Sequence, residues 1–196
     1  MSRFSQVQFL VSAASAAQFP ADVGTEVGFV GRSNAGKSSA LNAIAQRQGL
    51  ARTSKTPGRT QLLNFFELAP EKRLVDLPGY GYAQVTAAQR RAWVPLIEAL
   101  HERQSLRGLF VIVDARRGVG AGDEELLAWA GPGRLVHVLL AKCDKLSRGE
   151  ALGALRGAQA ALGGRASVQL FSALKGTGVA EARETLEGWL RIRAAK

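Results

Sequence analysis

Eight consecutive residues, Gly31-Arg32-Ser33-Asn34-Ala35-Gly36-Lys37-Ser38, combine two spaced glycines with a lysine and a hydroxyl. Glycines let a backbone curl until successive N–H groups point at one anion. The flanks give the pattern its meaning. Glu26-Val27-Gly28-Phe29-Val30 reads as a buried strand, and 37–46 reads as a helix with Leu41 and Ile44 on one face. A helix N-terminus adds its partial positive charge to the same anion. In this setting Lys37 reaches the β and γ phosphates of a nucleotide, and Ser38 offers its hydroxyl oxygen to Mg²⁺. An ordinary glycine-bearing turn between strand and helix would need neither Lys37 nor Ser38.

Two further segments suit a metal-bound triphosphate. Leu74-Val75-Asp76 is an apolar strand ending in a carboxylate, followed by Leu77-Pro78-Gly79. Asp76 is expected to hold Mg²⁺ through water, and the Gly79 N–H to bond a γ-phosphate oxygen. Between the two segments lies Lys55-Thr56-Pro57-Gly58-Arg59-Thr60. A threonine that ligates Mg²⁺ only while a γ-phosphate is present makes such a loop a switch. Thr56 and Thr60 both qualify, and Thr60 is favoured because it abuts, through Gln61, the strand that follows.

Lys142-Cys143-Asp144 follows the apolar run Leu135–Ala141. The segment resembles the N/T-K-x-D motif of GTPases, whose aspartate accepts from guanine N1–H and N2–H₂ while the lysine stem packs on the base. Adenine has an acceptor at N1 and no amine at C2, so it would leave Asp144 unpaired. Ser172-Ala173-Leu174-Lys175 follows the last strand and resembles a second guanine loop, whose backbone N–H meets O6.

The elements that position these groups alternate along the chain. Strands are predicted at 26–30, 62–68, 73–76, 109–114, 135–141 and 168–171. Helices are predicted at 37–46, from a Thr86 cap through Glu102, and at 122–130, 148–162 and 179–193. Alternation of this kind implies an α/β fold with a mostly parallel sheet covered on both faces. Ligands sit at the carboxyl ends of such strands, which brings the loops after residues 30, 76, 114, 141 and 171 together. Residues 1–22 read as an appended N-terminal arm and 23–196 as one domain. Trp93, Trp129 and Trp189 fall on helices and read as packing residues.

Composition narrows the classes. A chain of 196 residues, 46% of them hydrophobic, can bury one real core. No apolar run reaches the roughly 20 residues of a membrane span. Phe9-Leu10-Val11 and the alanines that follow look faintly like a secretory leader, but the run is short and interrupted, and a cytoplasmic location is expected. The net charge of +10 favours RNA, DNA or a ribonucleoprotein as partner. Cys143 is the only cysteine, which excludes an intramolecular disulfide and leaves only His101 and His137 to help build a zinc site. Both histidines read as structural residues without evident partners.

Three strings together resemble the translation-factor-related GTPases and, within them, the EngB family of ribosome-biogenesis GTPases. They are Gly31 to Ser38 continued by Ser39-Ala40-Leu41-Asn42, then Thr56-Pro57-Gly58-Arg59-Thr60-Gln61, then Asp76-Leu77-Pro78-Gly79-Tyr80-Gly81-Tyr82. The resemblance runs from about residue 22 to the C-terminus. It implies a three-layer αβα P-loop GTPase fold whose six-stranded, mostly parallel sheet has one antiparallel strand. It also implies GTP hydrolysis with Mg²⁺ and a role in assembling the large ribosomal subunit, through which members support normal division. The implied partners are ribosomal RNA and ribosomal proteins of the subunit precursor, met by a monomer. Lys37, Thr60 and Gly79 take the catalytic positions, and Ser38, Thr60 and Asp76 those around the metal. Nucleotide contact is implied for Gly31, Arg32, Ser33, Asn34, Ala35, Gly36, Lys37, Ser38 and Ser39. It is implied also for Gly58, Arg59, Thr60, Gln61 and Leu62, and for Asp76, Leu77, Pro78 and Gly79. On the base side it extends to Ala141, Lys142, Cys143, Asp144, Ser172, Ala173 and Leu174.

Three positions qualify that picture. Ala141 stands where Asn or Thr is usual and cannot tie its loop to the P-loop, which should weaken nucleotide binding by roughly 1 kcal/mol. Tyr80 follows Gly79 where a glutamine would orient the attacking water, so intrinsic hydrolysis should be slow. Asn34 occupies the position that ligates K⁺ in related cation-dependent GTPases, which suggests K⁺-stimulated turnover. Arg52, Lys55, Arg59, Arg90 and Arg91 lie on or near the loops 52–62 and 78–87 and would face RNA in the GTP state. Two other readings compete. One is a nucleotide-gated RNA-binding module with incidental hydrolysis; the other is an ATP-dependent kinase on the same fold.

Overall fold

The computed structural model describes residues 3–51, 62–79 and 87–191. Its strands are β1 (Gln8–Ala13), β2 (Thr25–Gly31), β3 (Leu63–Ala69), β4 (Lys72–Asp76), β5 (Leu106–Asp114), β6 (Leu135–Ala141) and β7 (Ser167–Leu170). The helices are α1 (Lys37–Ile44), α2 (Ala87–His101), α3 (Ala121–Ala130), α4 (Arg148–Leu162) and α5 (Val179–Leu190). The strands form one sheet in the order β1-β3-β4-β2-β5-β6-β7. β3 runs antiparallel to both its neighbours, and the other pairings are parallel.

Side-chain alternation divides the core in two. Phe29, Phe110, Ile112 and Leu139 point to one face and pack beneath α1 and α5. Val30, Leu109, Val111, Val113 and Leu140 point to the other, beneath α2, α3 and α4. Central strands buried on both faces are nearly continuous apolar runs, which is why β2, β5 and β6 stand out in the sequence. Phe29 and Phe110 stack at 5.2 Å between ring centres, and Trp189 of α5 lies 5.1 Å from Phe110.

The three-layer αβα fold with a single antiparallel strand is as expected, but the sheet has seven strands rather than six. The extra strand is β1, from within 1–22. Only its last residues are shielded, so it lacks the alternation that marks a half-buried strand. Phe4, Val7 and Ala13 are buried. The Arg183 guanidinium sits 5.5 Å over the Phe4 ring while donating to the Ile44 and Ala43 carbonyls at the end of α1.

A buried ion cluster fastens the lower edge. Glu26, with no exposed surface, accepts from Arg73 Nη1 at 3.0 Å and from Arg103 Nε and Nη2 at 2.7 and 2.8 Å. The same guanidinium groups donate to the carbonyls of Pro20, Ala21 and Val23. Asp22 accepts from the Ser105 hydroxyl and from the Gln104 and Ser105 amides, and these bonds hold its carboxyl below the usual range against the opposing cost of burial. Among the described residues no helix is long and apolar enough to cross a membrane.

Candidate nucleotide site

The loops at the carboxyl ends of β2, β4, β5, β6 and β7 converge. Gly31 closes β2 against β5: a Cβ there would lie 2.5 Å from the Ile112 carbonyl oxygen, so a larger residue would push the strands apart where the loop begins. Gly36 has φ +113° and directly precedes α1. That backbone conformation suits glycine and aims the first amides of α1 back toward the loop. Asn34 also has positive φ, at 61°. Ala35 is buried, Ser33, Lys37 and Ser38 are half-buried, and Arg32, Asn34 and Ser39 are exposed.

β4 lies beside β2 with Asp76 opposite Phe29, which puts the Asp76 carboxylate next to the P-loop. It forms an ion pair with the Lys37 ammonium. Leu77 is buried and donates its N–H to the Phe29 carbonyl at 3.0 Å. A Cβ on Gly79 would stand 3.3 Å from Ser33 Cα, so this loop approaches the phosphate loop backbone to backbone. Pro78 is half-buried between them in sequence. Ser38, in the first turn of α1, and Asp76, at the end of neighbouring β4, are hard oxygen donors beside the loop. Mg²⁺ takes one or two protein oxygens together with substrate phosphates and water, so the residues fit that ion.

On the base side, Lys142 adopts φ 61° and donates its ammonium to the Asn34 carbonyl and to Asp114 Oδ2, the latter at 3.1 Å. Ser172, fully buried, donates to Asp144 Oδ1 at 2.6 Å. That hydrogen bond is the main reason the Asp144 carboxyl is held below its ordinary value, with Lys145 and Lys175 adding to it. The Lys175 amide donates to Ser172 Oγ at 3.1 Å, which shapes the 172–175 turn. Ala173 is half-buried and Leu174 is exposed. Cys143 is buried behind the loop, and burial pushes its thiol up. Ala141 is buried at the end of β6.

The structure thus gathers Gly31 to Ser39, Asp76 to Gly79, Ala141 to Asp144 and Ser172 to Leu174 at one end of the sheet. Leu62 is half-buried and leads into β3. Gly58, Arg59, Thr60 and Gln61 lie outside the described residues, as do Arg52, Lys55, Thr56 and Tyr80. Arg90 and Arg91 fall on α2, and their side chains are likewise outside the description.

Sequence reasoning missed Asp114 and Arg116. Asp114 ends β5 as Asp76 ends β4, and a strand-end carboxylate was the available signal. It accepts from Arg116 Nε and Nη2 at 2.9 and 2.7 Å and from the Arg116 amide at 3.1 Å, and these contacts hold its carboxyl well below the usual range. The histidines also have partners. His137 contacts Ser167 Oγ at 2.7 Å and Gln169 Oε1 at 2.8 Å across β6 and β7, and burial lowers its basicity. His101 lies 3.2 Å from Arg134 Nη1, with its ring 5.0 Å from Trp129. Both remain structural residues away from the P-loop.

Comparisons with known proteins bear on family and fold. The family model described as 50S ribosome-binding GTPase matches residues 26–142. The probable GTP-binding protein EngB of Aromatoleum aromaticum is 50% identical, over 96% of this chain and 90% of its own length. The protein of the same name from Coxiella burnetii is 47% identical, over 96% of this chain and 94% of its own. A crystal structure of a probable GTP-binding protein engB superposes with a TM-score of 0.68 at 18% identity, over 86% of this chain and all of that one. Era bound to MgGDPNP and a 16S ribosomal RNA fragment superposes at 0.66 with 23% identity, over 88% of this chain and 58% of that one. At these identities the two structures speak for the fold.

Proposed function

The chain belongs to the EngB family of GTP-binding proteins, and from that premise we propose that it hydrolyses GTP with Mg²⁺ as a switch in assembly of the large ribosomal subunit. Through ribosome supply it would support normal cell division. The observation that carries the reading is the meeting, at one sheet end, of a glycine-framed phosphate loop with an aspartate locked by Ser172. The first fits a polyphosphate and the second fits the N1–H and N2–H₂ edge of guanine, so an ATP-dependent kinase is not favoured.

The residues divide the work. Backbone amides from Gly31 to Ser38 surround the β-phosphate, with the N-terminus of α1 adding its positive end. Lys37 exchanges its ion pair with Asp76 for phosphate oxygens when nucleotide enters. Ser38, Thr60 and, through water, Asp76 would hold Mg²⁺, which would supply positive charge against the phosphates. The Gly79 N–H reads the γ-phosphate, which couples the loop after β4 to nucleotide state. Tyr80 cannot orient the attacking water as an amide would, so intrinsic turnover is slow; Asn34 would hold a K⁺ that supplies the missing charge, or a ribosomal partner would supply it. The protein acts as a cytoplasmic monomer, and its excess of basic residues presents to ribosomal RNA.

Sedimentation of ribosomal particles with a non-hydrolysable GTP analogue or with GDP tests the assembly role. Co-migration with 50S precursors in the analogue alone supports it; equal behaviour in both nucleotides overturns it. Turnover compared in KCl and NaCl, with and without 50S particles, tests the cation. Equal rates in both salts remove K⁺, and single-turnover hydrolysis indifferent to ribosomes favours a nucleotide-gated binding module.

A further inference from the structure

Lys142 is the joint between the base loop and the phosphate loop. Its stem passes over the start of α1, with Cε 3.7 Å from where a Cβ on Gly36 would sit. Its ammonium then donates to the Asn34 carbonyl and to Asp114. A lysine side chain has high rotamer freedom, and one carbonyl contact does not fix four methylenes. The backbone of Lys142 is itself in the left-handed region, which non-glycine residues seldom adopt without support.

Asp114 supplies that support. It is 7% exposed, ends β5 directly opposite Ala141 in the parallel register, and is bridged to that strand end by the Ala115 amide bonding the Ala141 carbonyl at 2.8 Å. Its own orientation is set by three donors of Arg116. The order of contacts is therefore Arg116, Asp114, Lys142, Asn34. A residue on β5 that reaches neither phosphate-loop backbone nor the base loop's aspartate still determines where the lysine between them lies. Ala141 contributes only a methyl group at this point, so the link from base loop to phosphate loop runs through the lysine.

We propose that Asp114 is a positioning residue for guanine-nucleotide binding that acts through Lys142, with Arg116 holding Asp114 in place. This rests on the nucleotide-binding reading above. A carboxylate bonded to an ammonium stabilises its placement more than a neutral amide does. Asp114→Asn is accordingly expected to weaken GDP and GTP about tenfold, mainly through faster dissociation. In a Lys142→Ala background the same change has no lysine to position, and its effect should fall below twofold.

The test is a cycle of four proteins: the unaltered chain, Asp114→Asn, Lys142→Ala and both together. GDP binding is measured by ligand-observed NMR, which reads weak affinities, and folding is checked by thermal unfolding. Loss of affinity that disappears in the Lys142→Ala background supports the proposal. An equal loss in both backgrounds shows a merely structural role and overturns it, as does unaltered affinity in Asp114→Asn. If Asp114→Asn does not fold, Arg116→Ala, at a half-exposed side chain, carries the test. It should weaken GDP about threefold in the Lys142 protein only, and unchanged binding overturns the proposal. Absence of GDP binding by the unaltered chain would instead overturn the nucleotide reading itself.

Discussion

Ser172 donates its hydroxyl hydrogen to Asp144 Oδ1 across 2.6 Å, although the two residues stand in loops after different strands, β7 and β6. The bond joins the two loops proposed to read the base. With the Lys145 ammonium 3.8 Å from Oδ2, the carboxylate is aimed before any ligand arrives.

Ser172→Ala should therefore weaken GDP about tenfold, the worth of one hydrogen bond to a charged group, and narrow the preference for GDP over ADP. Calorimetric titration of both nucleotides checks this; an unchanged GDP affinity removes the aiming role. The pH dependence has a definite sign. The folded-state carboxyl of Asp144 is lowered, chiefly by Ser172. The charged form is thus secured above its ordinary value of 3.8 and lost only as pH falls through the lower folded value. The affinity gap between the two proteins should stay constant from pH 8 to 5 and widen below about 4.

Glu26→Gln leaves two buried guanidinium groups without their shared anion. Breaking a buried ionic cluster from one side costs about 3–5 kcal/mol, or about 10 °C in Tm for a chain of this size. Glu26 is the second residue of β2, at the end opposite the P-loop, so GDP affinity should hold within about twofold. Differential scanning calorimetry and a GDP titration separate the two effects, and a Tm shift below about 2 °C would refute the clasp.

Cys143 should be a slow thiol. Burial raises it above its usual value, and the thiolate is the reactive form. A disulfide reagent at pH 7.5 should label the folded protein at least about tenfold more slowly than the protein in denaturant. Equal rates would place the sulfur at the surface.

Phe4→Ala removes a ring buried in the core cluster beneath α1 and α5, under the Arg183 guanidinium, and should lower stability by about 3 kcal/mol. GDP affinity should change by less than about twofold, because the ring packs under Arg183 at the end of α1 opposite Gly36. Chemical denaturation measures the first and calorimetry the second. An unchanged midpoint would mean that the arm does not pack.

The phosphate loop was legible because its chemistry is backbone chemistry: glycine spacing, one lysine and a hydroxyl determine it wherever a strand meets a helix. Asp144 and Ser172 were legible by position, since each follows a strand. The bond between them was not, because it depends on how β6 and β7 sit side by side. Asp114 and Arg116 were missed for a similar reason, as two residues of one turn become informative only when Lys142 arrives from the next strand. The Glu26 cluster joins residues 26, 73 and 103, and no local pattern connects these positions. β1 was missed because a strand at a sheet rim, shielded at one end, carries no period to detect. Thr60, inferred from sequence, lies outside the described residues.

The place of β1 has a consequence for self-association. β3 carries Leu63, Phe65, Phe66 and Leu68, and without the arm its backbone donors and acceptors would be an open template for another chain. β1 covers that row and substitutes a rim broken between Phe9 and Val11, where the register shifts. An irregular rim of this kind resists further pairing. Trimming the chain before residue 14 should thus yield a protein that sticks to its own copies, seen as larger species in size-exclusion chromatography.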